Sequence, residues 1–205
     1  MELGDDIFDK KLEQICYASP LAHAQHLPWI ERLTEVCESK NKSLTVLDKV
    51  PSIEELKSIY PDRDILLILD DLLSFGEVKG LTEISSLHAH HQGISTVYAL
   101  QNPYQQTNKC DIKTISRNLT TKVLMYQTSD FRVFSLLNAS MFPEKKGFLT
   151  RCINFAKWKL NLNYIVVNTH PQASLPRRYI CYTGLFEQAL NQQPGLKFFD
   201  LNSDG

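Results

Sequence analysis

The chain has no apolar run near the roughly 18 residues a bilayer-spanning helix needs, so no stretch of it reads as a transmembrane segment. Its beginning, Met1 to Lys11, is polar and acidic, which is unlike a secretory signal. Five cysteines (Cys16, Cys37, Cys110, Cys152, Cys181) include no C-x-x-C pair. An odd, scattered set in apolar surroundings reads as reduced core thiols and points to a cytosolic or nuclear compartment. Neither charge is in excess: 22 Lys and Arg face 23 Asp and Glu, a formal net charge of -1. That removes any broad electrostatic case for nucleic acid or membrane and leaves only local contacts through a few basic residues. Eight glycines are present, but none stands in a G-x-x-x-x-G-K-[ST] arrangement, and no Gly-Lys-Ser or Gly-Lys-Thr occurs. A phosphate-cradling loop of that kind is therefore excluded from these residues. Internal repeats and low-complexity segments are also missing.

What is there fits a globular protein. With 205 residues, 43% apolar and 22% charged, one domain with a substantial core is expected. The organising stretch is Ile65-Leu66-Leu67-Ile68-Leu69-Asp70-Asp71. Five consecutive aliphatic residues suit a strand buried on both faces of a parallel sheet. The two carboxylates then stand at its carboxyl end, the edge where open α/β sheets bind ligands.

Around that strand the chain alternates. Leu12–Tyr17 reads as a short strand with Ile15 and Tyr17 on one face. Pro20–Pro28 is a loop carrying His23 and His26. Trp29, Ile30, Leu33, Val36 and Cys37 recur at helical spacing. Ser43–Leu47 is a second strand. Ser52 with Glu55 forms a capping-box pattern before the stripe Ile53, Leu56, Ile59. After Asp71, a helix is expected from Lys79 to His91, stopped by Gly93. Ile94–Leu100 is a strand ending in Gln101-Asn102-Pro103. A helix over Asp111–Leu119, a strand over Lys122–Gln127, and helices from Asp130 to Met141 and over Gly147–Leu160 follow. Tyr164–Val167 and Arg178–Tyr182 are the last strands, and their short helix-free link suits antiparallel pairing. Alternation of this kind specifies an α/β layered fold with a largely parallel sheet flanked by helices. Residues 1–189 are read as one domain and 190–205 as a polar tail.

Two strand ends carry candidate chemistry. An acid pair there can hold Mg²⁺ through water and orient an attacking water in a nucleotide-hydrolysing protein. It equally suits a turn with two solvated carboxylates. Gln101 and Asn102 carry amides able to donate to a phosphate oxygen and accept from water at once, and Gln-Asn-Pro is also ordinary turn composition. His90 and His91 lack the spacing of a metal site. They suit a helix C-terminus, where imidazolium is favoured by the dipole. Lys145-Lys146 and Arg177-Arg178 read as solvated charge or as contacts to a phosphate backbone.

DDLLSF (from Asp70), LHAHHQGISTVYALQNPY (from Leu87), TISRNLTTKVLMYQTSDFRVFSLL (from Thr114) and NYIVVNTHPQASLPRRYICYTGLF (from Asn163), taken in order, carry a resemblance. Together they resemble the later part of the genome-packaging ATPases of Polinton/Maverick elements and poxvirus-like large DNA viruses, in the FtsK/HerA superfamily of P-loop NTPases. The match runs over roughly residues 7–186. It implies a RecA-like layered fold that lacks the family's N-terminal strand and phosphate loop, because this chain has no Walker A residues. It implies Asp70 as the Mg²⁺-side acid, Asp71 in the place of the catalytic acid and Gln101 as the sensor amide, with Asn102 beside it. His90 and His91 match the family's His-His pair, and Asn118 matches the Asn of Ser-x-Asn. Arg117 and Arg132 are candidates for an arginine reaching a neighbouring subunit. ATP and Mg²⁺, double-stranded DNA, a capsid, a homo-oligomeric ring, and a virion-associated location in host cytoplasm or nucleus are the family's implications. A non-catalytic remnant used as an interaction module and an unrelated metal-dependent α/β enzyme are the alternative readings.

Overall fold

The computed structural model describes residues 12–21, 28–61, 64–71, 81–85, 91–100, 112–126, 131–168 and 180–181. The chain divides into two compact units, Met1–Asn118 and Leu119–Gly205. The tail read at 190–205 lies outside the described residues.

In the first unit, β1 (Gln14–Ala18), β2 (Ser43–Leu47), β3 (Ile65–Asp70) and β4 (Ile94–Ala99) form a sheet in the order β2-β1-β3-β4. Every pairing is parallel. The apolar run does what its composition asks of it: Ile65, Leu67 and Leu69 are completely buried on one face and Leu66 is buried on the other. The first face, with Cys16 and Ala18, packs against Ile53, Leu56 and Tyr60 of the α2 segment (helix Ile53–Ile59, C-cap Tyr60). Leu81 and Ile84 of α3 (Leu81–Ile84), and Ile112 and Ile115 of α4 (Ile112–Asn118), complete that layer. On the opposite face Ile15 and Leu66 pack with Leu12 and with Cys37 and Leu33 of α1 (Pro28–Ser39). Helices thus cover both faces of a parallel sheet, the α/β architecture expected from alternation.

Local chemistry explains the helix boundaries. Ser52 caps α2 by accepting from the Glu55 N–H at 3.1 Å, and Glu55 accepts in return from the Ser52 N–H at 2.9 Å, which completes the capping box. The helix expected from Lys79 to His91 is interrupted: α3 stops at Ile84, a turn follows at Ser85, and His91 is helical again just before Gly93. Serine competes with the helix backbone for hydrogen bonds, which makes it a natural place for the break. Gly93 has φ 73, the left-handed geometry of a helix stop.

The second unit departs from the expected single sheet. Its strands β5 (Thr121–Met125), β6 (Tyr164–Asn168) and β7 (Ile180–Cys181) form a separate sheet in the order β5-β6-β7, antiparallel throughout. Between β5 and β6 run two helices, α5 (Phe131–Met141) and α6 (Phe148–Leu160). One helix between two strands returns the chain to a parallel start, whereas a pair of helices reverses it once more. Antiparallel pairing of β5 with β6 follows from that parity. Asn138 of α5 holds the turn between the helices. Its Nδ2 donates to the carbonyls of Phe142 (3.2 Å) and Lys145 (2.8 Å), and its Oδ1 accepts from the Leu149 N–H at 2.9 Å. Among the described residues no helix is long and apolar enough to cross a membrane.

Candidate functional site

Strand alternation and register assemble the site. In a parallel pair, residues in register point to the same face, and side chains alternate along each strand. Tyr17 lies opposite Ile68 in the β1–β3 ladder. Asp70, two residues beyond Ile68, therefore emerges on Tyr17's side. The Tyr17 hydroxyl donates to Asp70 Oδ2 at 2.7 Å. Trp29, in the first turn of α1, sets its ring edge-on to Tyr17 at 4.8 Å and 80°. Trp29 is 43% exposed rather than a core residue of the helix stripe, while Tyr17 beneath it is buried.

Strand order gives this place its meaning. From β1 the chain moves outward to β2, then crosses back to β3 on the other side of β1. The reversal lies between β1 and β3, and open α/β sheets bind ligands outside the strand ends at such a point. Asp70 ends β3 there, half-buried, and Asp71 follows with φ 53, a left-handed backbone. Asp tolerates that region better than most residues, yet outliers of this kind gather at functional strand ends. The Tyr17 hydroxyl is held well above the ordinary tyrosine pKa. Burial is the largest cause, the Asp70 hydrogen bond adds to it, and the Asp70 and Asp71 charges push the same way against a bond with Ser19.

The remaining candidates are distributed as follows. β4 lies beside β3 with Ala99 in register with Asp70. Gln101 and Asn102, which follow that strand, lie outside the described residues, as does His90. His91 is exposed at the last helical position before Gly93. Asn118 ends α4 and is exposed. The backbone of Arg117 lies in α4, and its side chain is outside the described residues. Arg132 is exposed on α5 in the second unit. The described residues thus bring Asp70 and Asp71 together with two aromatic residues that motif reading passed over. Tyr17 and Trp29 carry no motif; only the adjacency of β1 and β3 reveals them.

Magnesium is held through one or two carboxylates, with water and substrate phosphate filling its shell, and Asp70 and Asp71 offer that chemistry. Among the described residues no group of three or more His, Cys, Asp or Glu side chains forms a metal cage. The triphosphate is a different matter. Asp70 Oδ2 already accepts from Tyr17, and the sequence holds no Gly-rich lysine loop to offset phosphate charge beside two carboxylates. ATP does not fit these residues alone, and no hydrolytic step follows from them. No family model, no curated protein and no solved structure matches this chain.

Proposed function

We propose that the first unit is the acid-bearing part of a RecA-like domain derived from genome-packaging ATPases. The observation that carries this reading is the acid pair at the end of a central parallel strand, beside a strand whose chain runs on into Gln101-Asn102. In the complete family member such a site couples ATP hydrolysis to movement of double-stranded DNA into a capsid by a homo-oligomeric ring. Asp70 takes the Mg²⁺-side role and Asp71 the catalytic-acid role, with Gln101 as the sensor amide. Lacking phosphate-loop donors, these 205 residues do not turn over ATP by themselves.

The Tyr17–Asp70 hydrogen bond favours a second reading, in which the chain is a non-catalytic relative that serves as an interaction module. A phenol donating to the metal-side carboxylate at 2.7 Å stabilises the strand end without any metal. Reading the coding DNA upstream of Met1 separates the two. An in-frame Gly-rich loop ending in Gly-Lys-Ser or Gly-Lys-Thr is the result expected for a partial motor domain. A clean intergenic region there overturns that assignment in favour of the interaction module.

A further inference from the structure

The two units carry opposite charge, which the whole-chain value of -1 conceals. Leu119–Gly205 holds ten Lys and Arg against five Asp and Glu, while Met1–Asn118 holds twelve against eighteen. Within the second unit the positive charge gathers around α6. From Lys145 to Leu160 there are five basic residues and no acidic one. The same segment carries two exposed aromatic side chains. Trp158 is 69% exposed and Phe155 44% exposed.

Helical spacing puts these groups on one face. Arg151, Trp158 and Lys159 each lie three or four residues from Phe155, so Phe155 neighbours all three. The buried side of α6 is Leu149, Cys152, Ile153 and Ala156. The exposed face is also held in place. Arg151 Nη1 donates to the Lys146 carbonyl at 3.1 Å, and the Tyr126 ring meets Trp158 edge-on at 6.1 Å. Lys157 Nζ sits 5.7 Å from the centre of the Tyr126 ring and donates to Asn163 Oδ1 at 2.7 Å.

From this face we infer that α6 binds single-stranded nucleic acid, with Phe155 and Trp158 as stacking platforms and Arg151 and Lys159 against the phosphates. Exposed aromatic rings interleaved with cations and free of acids are the combination that holds unpaired bases and their backbone. A duplex offers its phosphates but keeps its base faces stacked, so it leaves the two rings unused. A bilayer surface calls for a long apolar strip, and this face offers two rings between cations. The inference uses none of the acid pair and stands or falls apart from the nucleotide reading.

Trp29 and Trp158 are the two tryptophans of the chain. In a Trp29→Phe chain of full length, Trp158 is therefore the only indole reporter. Titrating it with an oligothymidylate of about twelve nucleotides, inside the usual range of roughly 4–16 per site, is expected to quench its fluorescence. Anisotropy of the labelled oligonucleotide on the wild-type chain is expected to weaken about tenfold or more with Trp158→Ala. Lys159→Gln is expected to flatten the logarithmic salt slope by about 0.7. Circular dichroism of both variants checks that they fold as the wild type does. No quenching and no anisotropy change overturns the inference. So does equal binding to a duplex of the same length, or binding to phosphatidylserine vesicles in place of the oligonucleotide.

Discussion

At the scale of single residues, the hydrogen bond between Tyr17 and Asp70 is the contact around which the site is built. Tyr17→Phe removes the donor and keeps the ring against Trp29. It is expected to lower the unfolding free energy of the first unit by about 1 kcal/mol, because Asp70 is half-buried and water partly replaces the phenol. Urea denaturation followed through Trp29 in a Trp158→Phe background measures this, and an unchanged midpoint contradicts it. A pH dependence arises from the same place. Burial raises the Cys16 thiol from its ordinary 9.0 to about 12, and Tyr17 and Cys37 are raised as well. A raised folded-state pKa means that the folded chain keeps protons the unfolded chain releases. Their stabilisation is complete below the unfolded thiol value and is lost as pH climbs through the folded one. The Trp29-reported melting temperature is expected to fall steadily from about pH 9 upward, and a flat or rising profile over that range contradicts it. That Asp70 and Asp71 stand at the carboxyl end of a buried strand was legible in sequence, because an unbroken aliphatic run marks such a strand and the two acids close it. Tyr17 was not, since it lies 53 residues from Asp70 and meets it only through strand order.

At the scale of elements, the helix cap and the strand runs reported their own structure, whereas the helix expected from Lys79 to His91 breaks at Ser85. The Ser52 and Glu55 pair marked the start of α2 because a capping box is closed within four residues. Strand positions were equally legible, since β-branched and aliphatic runs need no distant partner to declare themselves. Pairing was not. The sheet of the second unit was expected to run on from the first, yet the two consecutive helices between β5 and β6 turn that pair antiparallel. That information was present in the number of helices. Asn138 was invisible for a different reason: a lone Asn in a helix has no signature until the turn it anchors is known. Its side chain satisfies two carbonyls and one N–H while itself almost wholly buried. Asn138→Ala removes the acceptor of the buried Leu149 N–H and one of two donors from each carbonyl, and is expected to destabilise the second unit by about 1–3 kcal/mol. Trp158 fluorescence in a Trp29→Phe chain reads the shift in urea midpoint, and a loss below about 0.5 kcal/mol would count against Asn138 as the anchor of the turn.

At the scale of the whole molecule, the chain joins an acidic α/β unit to a basic unit with an antiparallel sheet. Their opposite charges cancel in the total, which is why composition alone gave no reason to look for a polyanion surface. The α/β class was readable from the alternation of strands and helices, and the parallel four-stranded sheet bears it out. The order β2-β1-β3-β4, and with it the reversal between β1 and β3, was not readable. It depends on which strands neighbour each other, and the hydrophobic pattern is silent on that. Under the proposed function, the acid pair belongs to a nucleotide site whose phosphate-binding half these residues do not supply. Calorimetric titration of the 205-residue chain with ATP in the presence of Mg²⁺ tests it most directly. The expected result is no detectable binding heat. Tight Mg²⁺-dependent binding that disappears in Asp70→Ala would show that these residues hold the triphosphate without a phosphate loop and would overturn that reading.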